Sequence, residues 1–161
     1  MGIFKAYDIR GIYPSELNED TAYKIGRAFV QFLKCESVVL GRDGRSSSPA
    51  LFEALSRGII DQGADVVDIG LSSTPMLYFA AKKAPAAMMI TASHNPKEYN
   101  GFKLCRERVI PISEADGIKE IEQLVLKNQF EESAKKGNII QKNVLPEYLN
   151  FNISFVKTNK P

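Results

Sequence analysis

Apolar positions along the chain switch between two rhythms. From Asn18 to Lys34, NEDTAYKIGRAFVQFLK places Ala22, Ile25, Phe29, Phe32 and Leu33 on one helical face. Its acidic residues fall in the first turn and Lys34 in the last, as the helix dipole favours. SVVL, Ser37 to Leu40, is then a short apolar run of strand type. SSSPALFEALSRGIIDQG predicts a helix capped by Ser48, with Pro49 at its first position and Gly63 past its end. Ala64–Ile69 reads as a second buried strand, Thr74-Pro75 opens a short helix that closes on Lys82 and Lys83, and Ala86–Thr91 is a third strand.

Strand, helix, strand, helix, strand predicts an α/β fold, a three-layer α/β/α sandwich around a mostly parallel, mixed sheet. YNGFKLCR and RVIPI follow as later strands, the last pairing antiparallel at an edge, with Asn100-Gly101 as turn chemistry. Ser113 to Phe130 reads as one more amphipathic helix, with Ile118, Ile121, Leu124 and Val125 inward and Ser113 and Asp116 spaced like a capping box. Glu131–Asn138 is an exposed connection. The final stretch, Ile139 to Pro161, is again apolar, either packing back on the core or beginning a second domain. The second reading predicts a boundary between a domain over 1–140 and a linker with a truncated second domain over 141–161. It also predicts that trimming after Lys142 costs little stability.

Composition narrows the function classes. The chain has 161 residues, 44% apolar, and 21 basic against 19 acidic residues give a formal charge of +2. Charge this balanced and scattered argues against a nucleic-acid partner. No apolar run is long enough for a membrane span, and the start lacks the apolar core of a signal peptide. Cys35 and Cys105 lack metal-ligand spacing and read as buried thiols of a reducing, cytoplasmic compartment.

In a wound sheet, ligands collect beyond the carboxyl ends of the strands. GRDGRSSS, GLSSTP and SHNPKEYNGFK all fall there, and the first and last lie along one edge. Arg42 and Arg45 around Asp43, before a helix start, suit an anion; equally, Asp43 can pair with its flanking arginines and hold the loop. Asp8 and Arg10 can likewise form a structural ion pair. Ser93-His94 holds the only histidine. Neighbours in an extended segment point to opposite sides, no G-x-S-x-G elbow occurs, and no second histidine exists, so a hydrolase dyad is not expected. Partners for a zinc site at His94 are missing too. By residues alone the segment is a polar turn set by Asn95-Pro96.

Four segments together are more specific. KAYDIRG near the start, GRDGR at Gly41–Arg45, TASHNP at Thr91–Pro96 and YNGFK at Tyr99–Lys103 resemble, in order and spacing, the first domain of the α-D-phosphohexomutases. The wording resembles the phosphomannomutase/phosphoglucomutase branch, whose members interconvert hexose 1-phosphates and 6-phosphates through a bisphosphorylated sugar. The resemblance covers about the first 140 residues. It implies that Ser93 carries the phosphoryl group, that His94 and Asn95 orient its loop, and that Lys103 and Arg10 assist charge or proton transfer. Tyr7 would sit at the cleft, with Arg42, Asp43 and Arg45 around the same loop. It further implies Mg2+ bound by the Ser93 phosphate together with an Asp-Gly-Asp-x-Asp-Arg loop of a second domain, and hexose 1,6-bisphosphate as activator. No such loop occurs here, nor do the sugar-reading and phosphate-binding loops of later domains. The resemblance thus implies a phosphohexose substrate, a partner in the rest of the same polypeptide, and an inactive isolated fragment. A stand-alone phosphosugar-binding module built on Arg42, Arg45 and Lys103 is the rival expectation.

Overall fold

The computed structural model describes residues 2–156. The last five positions of the predicted tail lie outside the described residues. Among the described residues seven strands form one sheet: β1 (Ile9–Ile12), β2 (Ser37–Arg42), β3 (Asp65–Leu71), β4 (Ala86–Ile90), β5 (Tyr99–Arg106), β6 (Ile110–Pro111) and β7 (Ile139–Gln141). Their order is β1-β5-β4-β2-β3-β7, with β6 also on β5. From β4 through β2 and β3 to β7 the pairing is parallel; β5 runs antiparallel to β1, β4 and β6. This is the mixed α/β/α sandwich that the alternation of elements predicts.

Alternation along the strands sorts two cores. Ile9, Val38, Leu40, Val66, Met88, Phe102 and Leu104 face helices α1 (Glu19–Leu33), α2 (Ser48–Asp61) and α4 (Lys119–Lys127). On the other face Val39, Ile69, Met89 and Cys105 pack with Met76 and Leu77 of α3 (Thr74–Ala80). Helix α1 starts where Asn18 accepts from the Thr21 N–H at 3.0 Å and stops at Lys34, which turns left-handed at φ 52°. No helix among the described residues is long and apolar enough to cross a membrane.

Several expectations change. Helix α2 is entered from Ser47, and Ser48, fully buried, gives its hydroxyl to Asp43 at 2.8 Å rather than capping the helix. Asn100 and Gly101 are not a turn: both lie inside β5, paired with Gly11 and Arg10 of β1. The helix expected from Ser113 is broken into a wide turn, Glu114–Ile118, and α4, because Gly117 at φ 144° lies against the Phe32 ring. A Cβ at Gly117 would meet that ring at 2.3 Å, so both backbone and space require glycine. Ser113 bonds the Asp116 carboxylate instead of a backbone N–H, so no capping box forms.

The tail packs back further than expected. β7 extends the sheet on β3, so a boundary between 140 and 141 would cut a strand. Val144 is buried in the second core, and α5 (Leu145–Ile153) lays Tyr148 and Phe151 against Phe79, with ring centroids 5.5 and 5.0 Å apart. Leu145, Leu149, Ile153, Phe155 and Val156 remain exposed.

Candidate functional site

β2 and β4 are parallel neighbours, so the loops leaving their carboxyl ends meet. At that meeting point Ser93 is exposed and takes the left-handed conformation, φ 55°. Holding a serine there costs on the order of 1 kcal/mol and requires the surroundings to impose it. Two groups do so. The Ser93 N–H donates to Thr91 Oγ1 at 2.9 Å, and the Ser93 carbonyl accepts from Arg45 at 2.9 Å. The turn also brings Ser93 Oγ to 3.3 Å from His94 Nδ1. The expectation that the two side chains diverge therefore fails, because it assumed extended backbone. Among the described residues no carboxylate bonds His94 to make a third member of a triad.

Arg45 is the template of the loop. Its Nη1 donates to the carbonyls of Pro96 (2.7 Å) and Tyr99 (3.0 Å), and its Nη2 to those of Ser93 (2.9 Å) and Asn95 (2.7 Å). Nε lies 3.3 Å from Asp43 Oδ2. A guanidinium has five N–H groups; the four on Nη1 and Nη2 bond loop carbonyls, and the Nε edge is ion-paired with Asp43. The four Nη donors of Arg45 are thus committed to the loop backbone. Arg42 is not brought to the loop: it pairs with Asp68 at 2.7 Å and stacks over Phe52 at 4.0 Å.

Arg10 arrives from β1. The register Arg10↔Gly101 puts it across from a residue without a side chain, so its guanidinium passes over β5 and Nη1 donates to Asn95 Oδ1 at 2.7 Å. A Cβ at position 101 would lie 2.2 Å from the Ile9 carbonyl oxygen, so only glycine lets β1 approach this closely. Asp8 bonds Arg10 Nη2 and stands 4.0 Å from Lys103 Nζ. Asp8, Arg10 and Lys103 share one face of the β1–β5 pair through the period-two alternation. Tyr7 precedes them and is exposed. Arg10 and Lys103 are each partly exposed and keep donors free for an anion at the loop.

The residues thus divide into an exposed serine beside an imidazole, two cations on the β1–β5 face, and an arginine committed to the loop backbone. Lys97, lining the shallow groove beside Ser93 and Ser46, joins them; nothing in the sequence distinguished it from a surface lysine. Sequence reasoning gave Ser48 and Asn100 only the roles of a helix cap and a turn, whereas they lie under this loop. Among the described residues no group of three or more His, Cys, Asp or Glu side chains can hold a metal ion, and Asp8 is already balanced by two cations. The donor set of this chain does not by itself fit a magnesium site.

Comparison with known proteins follows the same lines. Residues 1–132 match the family model described as phosphoglucomutase/phosphomannomutase, alpha/beta/alpha domain I. A phosphomannomutase of Klebsiella pneumoniae is 49% identical over 150 residues, covering 91% of this chain and 96% of that protein. One from Escherichia coli is 48% identical over 157 residues, 95% of this chain and 34% of that protein. The chain therefore spans nearly all of the first relative and about a third of the second. A crystal structure of a phosphoglucomutase/phosphomannomutase family protein from Burkholderia thailandensis superposes with a TM-score of 0.91 at 37% identity, covering 99% of this chain and 37% of that one.

Proposed function

The chain belongs to the phosphoglucomutase/phosphomannomutase family as its α/β/α domain I, and from that premise we propose that Ser93 is the phosphoryl carrier of a mutase interconverting hexose 1-phosphate and hexose 6-phosphate. The observation that carries the proposal is the left-handed, exposed Ser93, held on both sides of its peptide at the crossing of two loops. Phosphoryl transfer asks chiefly for positioning and charge neutralisation.

In the forward half-reaction the phosphorus–Oγ bond of phosphoserine 93 breaks as a bond forms to a sugar hydroxyl oxygen. That hydroxyl loses its proton, and the serine oxygen regains one. The bisphosphorylated sugar then turns over and returns its other phosphoryl group to Ser93. His94 Nδ1, next to Oγ, orients the carrier; Arg10, steadied by Asn95, and Lys103 offset the charge of the phosphate in flight. Tyr7, exposed just ahead of β1, would meet the sugar at the edge of the cleft. Mg2+ would supply further charge neutralisation at the phosphate, with ligands from the remaining polypeptide. Hexose 1,6-bisphosphate would prime the serine. The isolated chain is proposed to be inactive, working in the cytoplasm as part of the longer protein. The rival module of Arg42, Arg45 and Lys103 draws no support from the geometry, since Arg45 is committed to the loop carbonyls and Arg42 is held by Asp68 and Phe52 rather than at the loop.

A domain exchange tests the proposal. This chain replaces the matching N-terminal third of the Escherichia coli relative, and mutase turnover is measured with and without Ser93→Ala. Turnover that disappears with the serine is expected. A chimera whose turnover survives Ser93→Ala overturns the assignment.

A further inference from the structure

Beneath the serine loop lies a buried polar chain that the reaction does not require for contact with substrate. Asn100 is fully buried in β5, on the face that otherwise carries Phe102 and Leu104 toward the helices. A buried amide there is costly unless every hydrogen is placed. Its Nδ2 donates to Ser47 Oγ at 2.8 Å and to Ser48 Oγ at 3.1 Å, and its Oδ1 accepts from the Gly101 N–H at 2.8 Å. An amide nitrogen can only donate, so Ser48 must accept from it and send its own proton onward. It does, to Asp43 Oδ1 at 2.8 Å, an oxygen that also accepts the Arg45 N–H at 3.1 Å. The other Asp43 oxygen faces Arg45 Nε, and Arg45 grips four carbonyls of the serine loop.

Every bond in this series has one possible direction, from the Asn100 amide to the Asp43 carboxylate, and that carboxylate is the end that meets Arg45. We infer that Asn100 and Ser48 are positioning residues, which fix Asp43 and through it the Arg45 guanidinium, and so set the conformation of the Ser93 loop. The inference rests on the reading of Ser93 as carrier only for its catalytic consequence. The conformational part stands on the hydrogen bonds alone. Helix α2 supplies the relay at its first residue, so one hydrogen-bonded path joins the core under α2 to the loop above it.

Ser56 provides a matched control: it is in the same helix, 2% exposed, and its hydroxyl has no partner among the described residues. In the full chain, Ser48→Ala is expected to raise amide hydrogen exchange at Asn95 and Tyr99, whose N–H groups close the loop's turns, by about tenfold. Ser56→Ala leaves those two amides at the wild-type rate, and in both variants the β4 amides of Met88 and Met89 stay protected. Unchanged loop exchange in Ser48→Ala, an equal effect from Ser56→Ala, or loss of protection that includes β4 each overturns the inference. In the domain-exchange enzyme Ser48→Ala should lower kcat with KM for the hexose phosphate unchanged. If Ser93→Ala leaves that enzyme active, the carrier reading fails while the exchange result still decides the positioning role.

Discussion

Replacing Arg45 by alanine removes four hydrogen bonds to loop carbonyls and one ion pair. The bonds are not equivalent. Those to Pro96 and Ser93 are exposed, so water can take the place of the guanidinium at those oxygens. Those to Tyr99 and Asn95 are partly buried, and their carbonyls lose a charged donor without full access to solvent. At about 1–1.5 kcal/mol for each of the latter, and little for the former, Arg45→Ala should destabilise the chain by about 2–3 kcal/mol. With a urea m-value near 2 kcal/mol/M for a domain of this size, the unfolding midpoint should fall by roughly 1–1.5 M. Arg45→Lys should recover less than half of that, because an ammonium cannot span four carbonyls that a planar fork matches. Equilibrium urea unfolding of the whole chain, followed by circular dichroism, measures both. A midpoint for Arg45→Ala within about 0.3 M of wild type would refute the clamp.

Two further outcomes follow from the packing. Cys105 is buried, whereas Cys35, expected to be buried, is only partly so; burial still pushes both thiols up to about 11, with Lys103 and a hydrogen bond from Tyr78 pulling against it at Cys105. At pH 8 each thiolate fraction is then ~0.1%, against roughly a quarter for a free thiol; thiol titration with an aromatic disulfide should be slow until urea unfolds the chain, and rapid reaction of the folded chain would contradict the packing. Deleting everything after Lys142 removes buried Val144 and the Tyr148 and Phe151 contacts to Phe79. That should cost about 2–3 kcal/mol and lower Tm by roughly 5–10 °C, and an unchanged Tm would show that α5 contributes nothing to the core.

What the sequence revealed and what it hid have physical causes. Strands β2, β3 and β4 are covered on both faces, so their apolar runs stand out, and each helix between them carries a period that places it. The meeting of the loops after β2 and β4 follows from that topology. Asn100-Gly101 misled because the pair is common in turns, whereas here each residue answers a contact distant in sequence: Asn100 the α2 serines, Gly101 the backbone of β1. Ser93 misled because its left-handed turn is held not only by Thr91 but also by Arg45, 48 residues away, and no local rule contains that second bond. The tail looked unattached because β7 has only three residues, all exposed, and its pairing with β3 joins positions 73 apart in the chain. The arginines showed the limit most sharply. Arg42 and Arg45 are three residues apart, the first ending β2 and the second in the loop after it, yet Arg42 stacks on Phe52 and pairs with Asp68, while Arg45 threads the serine loop.

The most direct measurement locates the phosphoryl group itself. The domain-exchange enzyme would be incubated with hexose 1,6-bisphosphate, quenched, digested, and its peptides fragmented by mass spectrometry. One phosphoryl group is expected, on Ser93, lost from the peptide when excess hexose monophosphate is added before the quench. An active enzyme whose phosphoryl group sits on another residue, or which carries none, would contradict it.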